Sequence, residues 1–417
     1  MGDKYVDDLR TLYKDRVPGG VDLVCYWFER ARMVIEAGTA ERAGLLATNS
    51  IRGGANRDVL SRIKQSGEIF WAESSRDWIL EGAAVDVSMV GFSAMSPEPK
   101  ILDGRAVEEI NSDLTASADI AAAQRLQEDF GLSFMGVTPA GPFAVPATLA
   151  HEWMQDRGNP NGKSNADVLR PYCNGSDLTS RCRGVWTIDF YGLSEVRASQ
   201  YERPFEYARA VVKPQREKSR IPDEPWWVFT RNRPAMRDIL GECSRYFATA
   251  RVAKHRLFVW LEGGVLPDSA TIVFAREDDY FFGVVHSKPH ELWSLRLGTS
   301  LEDRPRYTPT TCFETFSFPW SPGREPVDDL RVLAIAQAAK ELVEKRDAWL
   351  NPPEASESEL KKRTLTNLHN QRLTWLDIAH RKLDAAVFDA YGWSHDLTDE
   401  EILERLLALN FQRAAAQ

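Results

Sequence analysis

The sequence has little of what would tie it to a membrane, an oxidising compartment or a familiar nucleotide site. Its longest apolar runs are a handful of residues, far short of the roughly 20 that cross a bilayer. Met1-Gly2-Asp3-Lys4 leads into charged residues with no apolar stretch behind them, so neither a signal peptide nor a membrane partner is expected. The five cysteines (Cys25, Cys173, Cys182, Cys243, Cys312) are odd in number and form no CxxC pair. That argues against a disulfide framework or zinc ribbon and for reduced thiols in the cytoplasm. No GxGxxG, P-loop or GxSxG elbow occurs, which leaves the standard phosphate cradles and nucleophilic hydrolysis without support. His286 and His290, in HSKPHELW, are separated by Pro289 and lack the HExxH order, so no metal site is expected. Internal repeats and low-complexity tracts are absent as well.

At 417 residues, 43% hydrophobic and 27% charged, the chain should fold into two or three globular domains. The net charge of −9 argues against nucleic acid if taken whole, but it is uneven. Residues 181–324 hold 22 Lys/Arg against 18 Asp/Glu, or +4, which leaves −9 − 4 = −13 for the remainder. Within 203–256 the count is 13 against 6, or +7. A basic stretch in an acidic chain is the pattern of an electrostatic footprint for phosphates, or of a solvated basic face.

Residues 21–93 alternate helix and strand. DLVCYWFERARMVIEAG (22–38) carries apolar residues at helical spacing, RAGLLAT (42–48) reads as a strand, and ANRDVLSRIKQSG (55–67) as an amphipathic helix. EIFWAE (68–73) and AAVDVSMVGF (83–92) read as two more strands. This is the tail of a doubly wound α/β sheet closing with an antiparallel strand. The turn Thr48-Asn49-Ser50 lies at the carboxyl end of the first strand, where ligands sit in open α/β sheets. The fold expected is therefore a partial Rossmann-like sheet (1–95) and a mixed connecting region (96–180). An α+β domain (181–324) and a helical segment (325–417) follow. GVWTIDFYG, RLFVWLEGG, ATIVFARED and DYFFGVVHS read as strands of the third part, SPGREP (321–326) as a linker, and Thr398 with Glu401 as the capping box of the last helix.

Asn351-Pro352-Pro353 resembles the motif with which amino-methylating enzymes hold a target amine. Here it is followed by Glu354 rather than an aromatic, and it ends the helical run KRDAWL. It reads as a helix stop, so Asn351 is rejected as catalytic. In RYFATARVAKHRLFVW (245–260) the cations Arg251, Lys254 and Arg256 interleave with aromatics. GTSLEDRPRYTPTTCFETFSFPW (298–320) carries Glu302, Arg304 and Arg306. Arginines can read guanine edges and acids can accept from cytosine amines, so this mixture suits base reading better than a purely basic strip.

Taken in order, these segments resemble the C-terminal part of an adenine-N6 DNA methyltransferase of the type IIG/IIL restriction–modification family. Residues 22–92 are similar to its later methyltransferase motifs, V to VIII. RYFATARVAKHRLFVWL, DYFFGVVHSKPHELW and RYTPTTCFETFSFPW resemble its target-recognition domain, and KRTLTNLHNQRLTWLDIAHRKLDAAVFDAYGW its terminal helices. The resemblance implies double-stranded DNA as partner, S-adenosyl-L-methionine as cofactor of the intact enzyme, and DNA contact by Arg251, Lys254, Arg256, Glu302, Arg304 and Arg306. It implies either target-base packing or simple closure of the sheet core for Phe92. The family's glycine motif and Asn-Pro-Pro-aromatic motif, which precede the helix at 22–38, are not found here. No catalytic residue is therefore assigned, and Thr48, Asn49 and Ser50 are expected to face a cleft whose other wall lies elsewhere. An inactive chain that exposes the edge of its strand at 43–48, or docks there onto a complementary subunit, is the consequence. A non-enzymatic, sequence-specific DNA-binding specificity subunit or remnant is the alternative.

Overall fold

The computed structural model describes residues 3–80, 83–95, 99–116, 118–156, 158–219, 224–301 and 304–417. The first sheet is built from β1 (Arg42–Thr48), β2 (Glu68–Leu80), β3 (Ala83–Ser93), β4 (Lys100–Leu102) and β5 (Arg105–Val107), in the order β1-β3-β2-β4-β5. β3 runs antiparallel to both β1 and β2, so those two are parallel to each other and the expected antiparallel strand lies between them. Helices Val24–Glu36 and Asp58–Ser66 pack against each other over this sheet. Phe28, Ile51, Leu60, Ile63, Ile69 and Phe92 form the buried core beneath them. The other edge of β1 has no strand partner among the described residues.

The middle of the chain holds β6 (Ser133–Met135), β7 (Ala144–Pro146), β8 (Leu169–Cys173), β9 (Val185–Ile188), β10 (Arg245–Ala250), β11 (Phe258–Glu262), β12 (Leu266–Pro267) and β13 (Thr271–Phe274). They form two four-stranded sheets, β11-β10-β13-β6 and β12-β8-β9-β7. β6, β7 and β8 pair with strands from beyond residue 181, and β4 and β5 complete the first sheet. The connecting region expected at 96–180 is thus divided between its neighbours, and the boundary expected at 181 falls inside the middle domain. Sequence order misled because these short strands pair with partners far along the chain.

Alternation along β10 explains the packing around it. Tyr246 and Ala248 point into one core and Phe247 into another, with Val273 and Phe274 of β13 doing the same. The second core is shared with helices Asp279–His286, Leu330–Leu350, Thr374–Tyr391 and Asp399–Ala414. DYFFGVVHS is therefore a helix, not the strand its composition suggested. Every residue from Tyr280 to His286 is buried, so no polar face marks a 3.6-residue period. Asp278, whose side chain accepts from the Phe281 N–H at 2.7 Å, is the local sign of a helix start. The capping box of Thr398 and Glu401 forms as expected. No helix among the described residues is long and apolar enough to cross a membrane.

Candidate nucleic-acid interface

A short hairpin, β14 (Thr299–Leu301) paired with β15 (Arg304–Arg306), projects from the segment rich in Glu302, Arg304 and Arg306. Glu302 itself lies outside the described residues. Main-chain bonds seat the hairpin against the stretch after β10: Ala253 N–H donates to Pro305 O at 3.3 Å, and Tyr307 N–H to Arg251 O at 2.8 Å. Arg256 completes the seat from below. Its guanidinium donates to Thr249 Oγ1 (3.1 Å), Ala250 O (2.6 Å) and Pro305 O (3.0 Å), and lies 5.1 Å from the Tyr307 ring centre. It is only 5% exposed. Arg256, expected at the DNA, is thus placed under the hairpin with its guanidinium engaged by three acceptors that compensate its burial.

The other four cations do converge. Arg251, Lys254, Arg304 and Arg306 line one open cavity of about 580 Å³, together with His255 and the hydroxyls of Ser176, Thr179, Ser269 and Thr366. No carboxylate lines it among the described residues. The guanidinium groups of Arg251 and Arg306 have no hydrogen-bond or ion-pair partner among the described residues. Four cations around one concavity with no described carboxylate focus a positive potential, which is what a phosphate chain requires.

At the carboxyl end of β1 the polar turn is held by a network that the sequence did not reveal. Ser50 Oγ and Asn56 Nδ2 both donate to Asp22 Oδ2, at 2.6 and 2.8 Å. Asn49 Nδ2 donates to Asp86 Oδ2 at 2.7 Å, and Thr48 Oγ1 lies 2.7 Å from Ser50 Oγ. Asp22, Asn56 and Asp86 were missed because they come from three separate elements. Asn49 and Ser50 share a second cavity, of about 350 Å³, with Pro305 of the hairpin and with Arg52, Asp113 and Arg296. The turn therefore faces the hairpin across a polar gap.

Phe92 is not at this end. It pairs with Ala43 while Thr48 pairs with Val87, which separates Phe92 from the turn by five residues, about 16 Å of strand. It is buried against Phe28, with ring centres 6.1 Å apart. Of its two readings the structure favours closure of the core. The exposed aromatic at the cleft end is instead Trp78, opposite Val85 and beyond the end of β1. Its neighbour Ile79 is more exposed still.

His290 is fully buried between Val285 O (2.7 Å) and Tyr307 Oη (3.0 Å), and burial pushes its pKa down to about 3. No group of three His, Cys, Asp or Glu side chains is placed to hold a metal among the described residues. Asn351 follows the helix Leu330–Leu350, where its Oδ1 and the Leu350 carbonyl accept from Arg181 at 2.9 and 3.2 Å. It is the end of a helix, and exposed.

No protein-family model and no curated protein sequence matches the chain. A solved structure does: that of the type IIL restriction-modification enzyme MmeI in complex with DNA. It aligns over 100% of this chain with a TM-score of 0.77 at 20% sequence identity. The fold is shared. The chain spans 55% of that enzyme's length. The type IIG restriction endonuclease BpuSI aligns over 94% of the chain and 53% of its own, at 10% identity, but its TM-score of 0.26 is too low to carry an argument.

Proposed function

We propose that this chain supplies the target-recognition domain and one wall of the catalytic cleft of a site-specific DNA adenine-N6 methyltransferase of a restriction–modification system. The observation that carries this reading is the cavity of four cations and no described carboxylate, set beside a hairpin on a fold shared with DNA-bound MmeI. In this reading Arg251, Lys254 and Arg306 bind the backbone of the duplex, and Arg304, exposed at the start of β15, reads base edges. A base inside a duplex is out of reach of a methyl donor, so the target adenine must flip out. The turn at 48–50 and Trp78 flank the space that would receive it.

S-adenosyl-L-methionine does not fit the described residues. The connection after β1 forms two short helical turns, Asn49–Arg52 and Gly54–Arg57, rather than a glycine-rich cradle. Its polar side chains are already engaged by Asp22 and Asp86. In this reading the cofactor would be held by a complementary polypeptide segment. Such a segment would cover the open edge of β1, where Leu46 is exposed and Trp27 and Val34 of the neighbouring helix are exposed too.

The test is selection of bound duplexes from a randomised pool. A short consensus that changes with Arg304→Ala, and an affinity that falls for all sequences alike with Lys254→Ala, is the expected result. Failure to bind any duplex at low salt would overturn the reading. Burial of Phe92 and the lack of a glycine-rich cradle after β1 favour a second reading, a DNA-binding specificity subunit without catalysis. It predicts binding indifferent to S-adenosyl-L-methionine, even when a complementary subunit is present.

A further inference from the structure

Building on the DNA-binding reading above, we propose that the helix Leu365–Gln371 and the residue that closes it, Arg372, form a second DNA-binding ridge. On it Asn370 positions Lys254, and Arg372 meets the phosphate backbone of the duplex flanking the recognised bases.

The segment LKKRTLTNLHNQRL (360–373) holds four Lys/Arg and no acid, although 325–417 as a whole has 12 against 17, or −5. The fold brings this basic island to the groove. Leu365 and Leu368 anchor the helix in the core, and Thr366 Oγ1 donates to Thr179 O at 3.1 Å. Thr366 lines the cationic cavity, whereas His369, Asn370 and Arg372 line a neighbouring cavity of about 850 Å³. Lys254, His255 and Leu257 line both. The helix is thus the ridge between two concavities.

Asn370 joins them. Its Oδ1 lies 2.9 Å from Lys254 Nζ and 2.9 Å from His255 Nε2. An ammonium can only donate, so the carboxamide atom facing it is the oxygen. The same oxygen faces the imidazole, so the His255 Nε2 carries a proton. Lys254 is held at one point of its long side chain, and the Asn370 amide keeps two donors without a partner among the described residues. Arg372 adopts a left-handed backbone, φ 46°, which disfavours any side chain by about 1–2 kcal/mol. A glycine would close the helix without that strain. Its guanidinium is exposed and has no hydrogen-bond or ion-pair partner among the described residues. The cavity of about 850 Å³ also holds Glu291, Asp377, Asp384 and Asp399. Lys288 engages two of them, through Nζ to Asp399 at 2.7 Å and through its N–H to Asp384 at 2.8 Å.

The experiment measures affinity of the full chain for a mixed-sequence duplex between about 50 and 200 mM salt. Arg372→Gly fits the left-handed backbone, so a loss of binding cannot be a folding defect. It should weaken binding several-fold and make the log–log salt slope shallower by about 0.9. Asn370→Ala should weaken binding in the parent and have little effect in a Lys254→Ala background, because it acts through that lysine. Parent affinity and slope in Arg372→Gly, or independent losses from Asn370→Ala and Lys254→Ala, would overturn the ridge and leave the DNA-binding reading standing. A parent chain that binds no duplex would overturn both.

Discussion

The cations proposed to meet phosphates fix a number that can be measured. Each phosphate neutralised on duplex DNA releases condensed counterions, so Arg251, Lys254 and Arg306 of the cavity, with Arg372 of the ridge, together should give a slope of log affinity against log salt of about −3.6. A fourfold rise from about 50 to 200 mM salt should therefore weaken binding roughly 150-fold. Arg306→Ala removes one contact and should reduce that loss to roughly 40-fold, with a slope near about −2.7. The assay is fluorescence anisotropy of a labelled mixed-sequence duplex titrated with the full chain at several salt concentrations. Base-specific contacts add affinity without adding slope, so a selected site should shift the line upward and leave its gradient unchanged. A parent slope shallower than about −1, or Arg306→Ala and Lys254→Ala variants that keep the parent slope, would refute the assignment of this cavity to phosphates.

Arg256 offers the contrasting case. Arg256→Ala should weaken DNA binding and also lower stability by about 2–3 kcal/mol, since it strands three buried acceptors; Lys254→Ala should weaken binding with no change in the unfolding midpoint. Gly283→Ala should destabilise by about 1–3 kcal/mol in chemical denaturation, because a methyl there would sit 2.7 Å from Ile335 Cγ2 and 3.1 Å from Ala339 Cβ. Asp129 is fully buried, and neither carboxyl oxygen has a hydrogen-bond partner among the described residues. Burial, helped by the nearby charge of Glu128, raises its pKa well above the ordinary 3.8. The folded state then holds the proton more tightly than the unfolded chain, so stability declines as pH rises from 3.8 toward the folded value. Asp129→Asn should abolish that decline and raise the melting temperature at neutral pH by about 2 °C or more; identical pH profiles for the two proteins would contradict it.

Periodicity made the first sheet readable because each strand there pairs with a close neighbour in sequence and buries one face under two helices. The same reasoning failed at DYFFGVVHS, where a helix enclosed on all sides has no polar stripe, and at 133–173, where strands of three to five residues pair far along the chain. At the interface, four of the five described cations chosen for DNA contact meet in one cavity, because charge cannot be buried without partners and so stays at the surface. Arg256 is buried for the same reason in reverse. Its partners are main-chain carbonyls and one hydroxyl, which no residue type in the sequence announces. The two readings of Phe92 stayed open because its distance from Thr48 along the sheet depends on which residue of β1 it faces.

The way the hairpin is seated separates what may change from what must stay. Val252, Ala253 and Arg251 hold it through main-chain atoms, and Arg256 grips the carbonyl of Pro305. None of these bonds uses the side chains of Arg304 or Arg306. Replacing those side chains would leave the seat intact, so under the proposed reading one target sequence could be exchanged for another at little expense in stability. A hairpin attached in this manner is a replaceable tip on a fixed handle, open to diversification by single substitutions while the two cores behind it remain untouched.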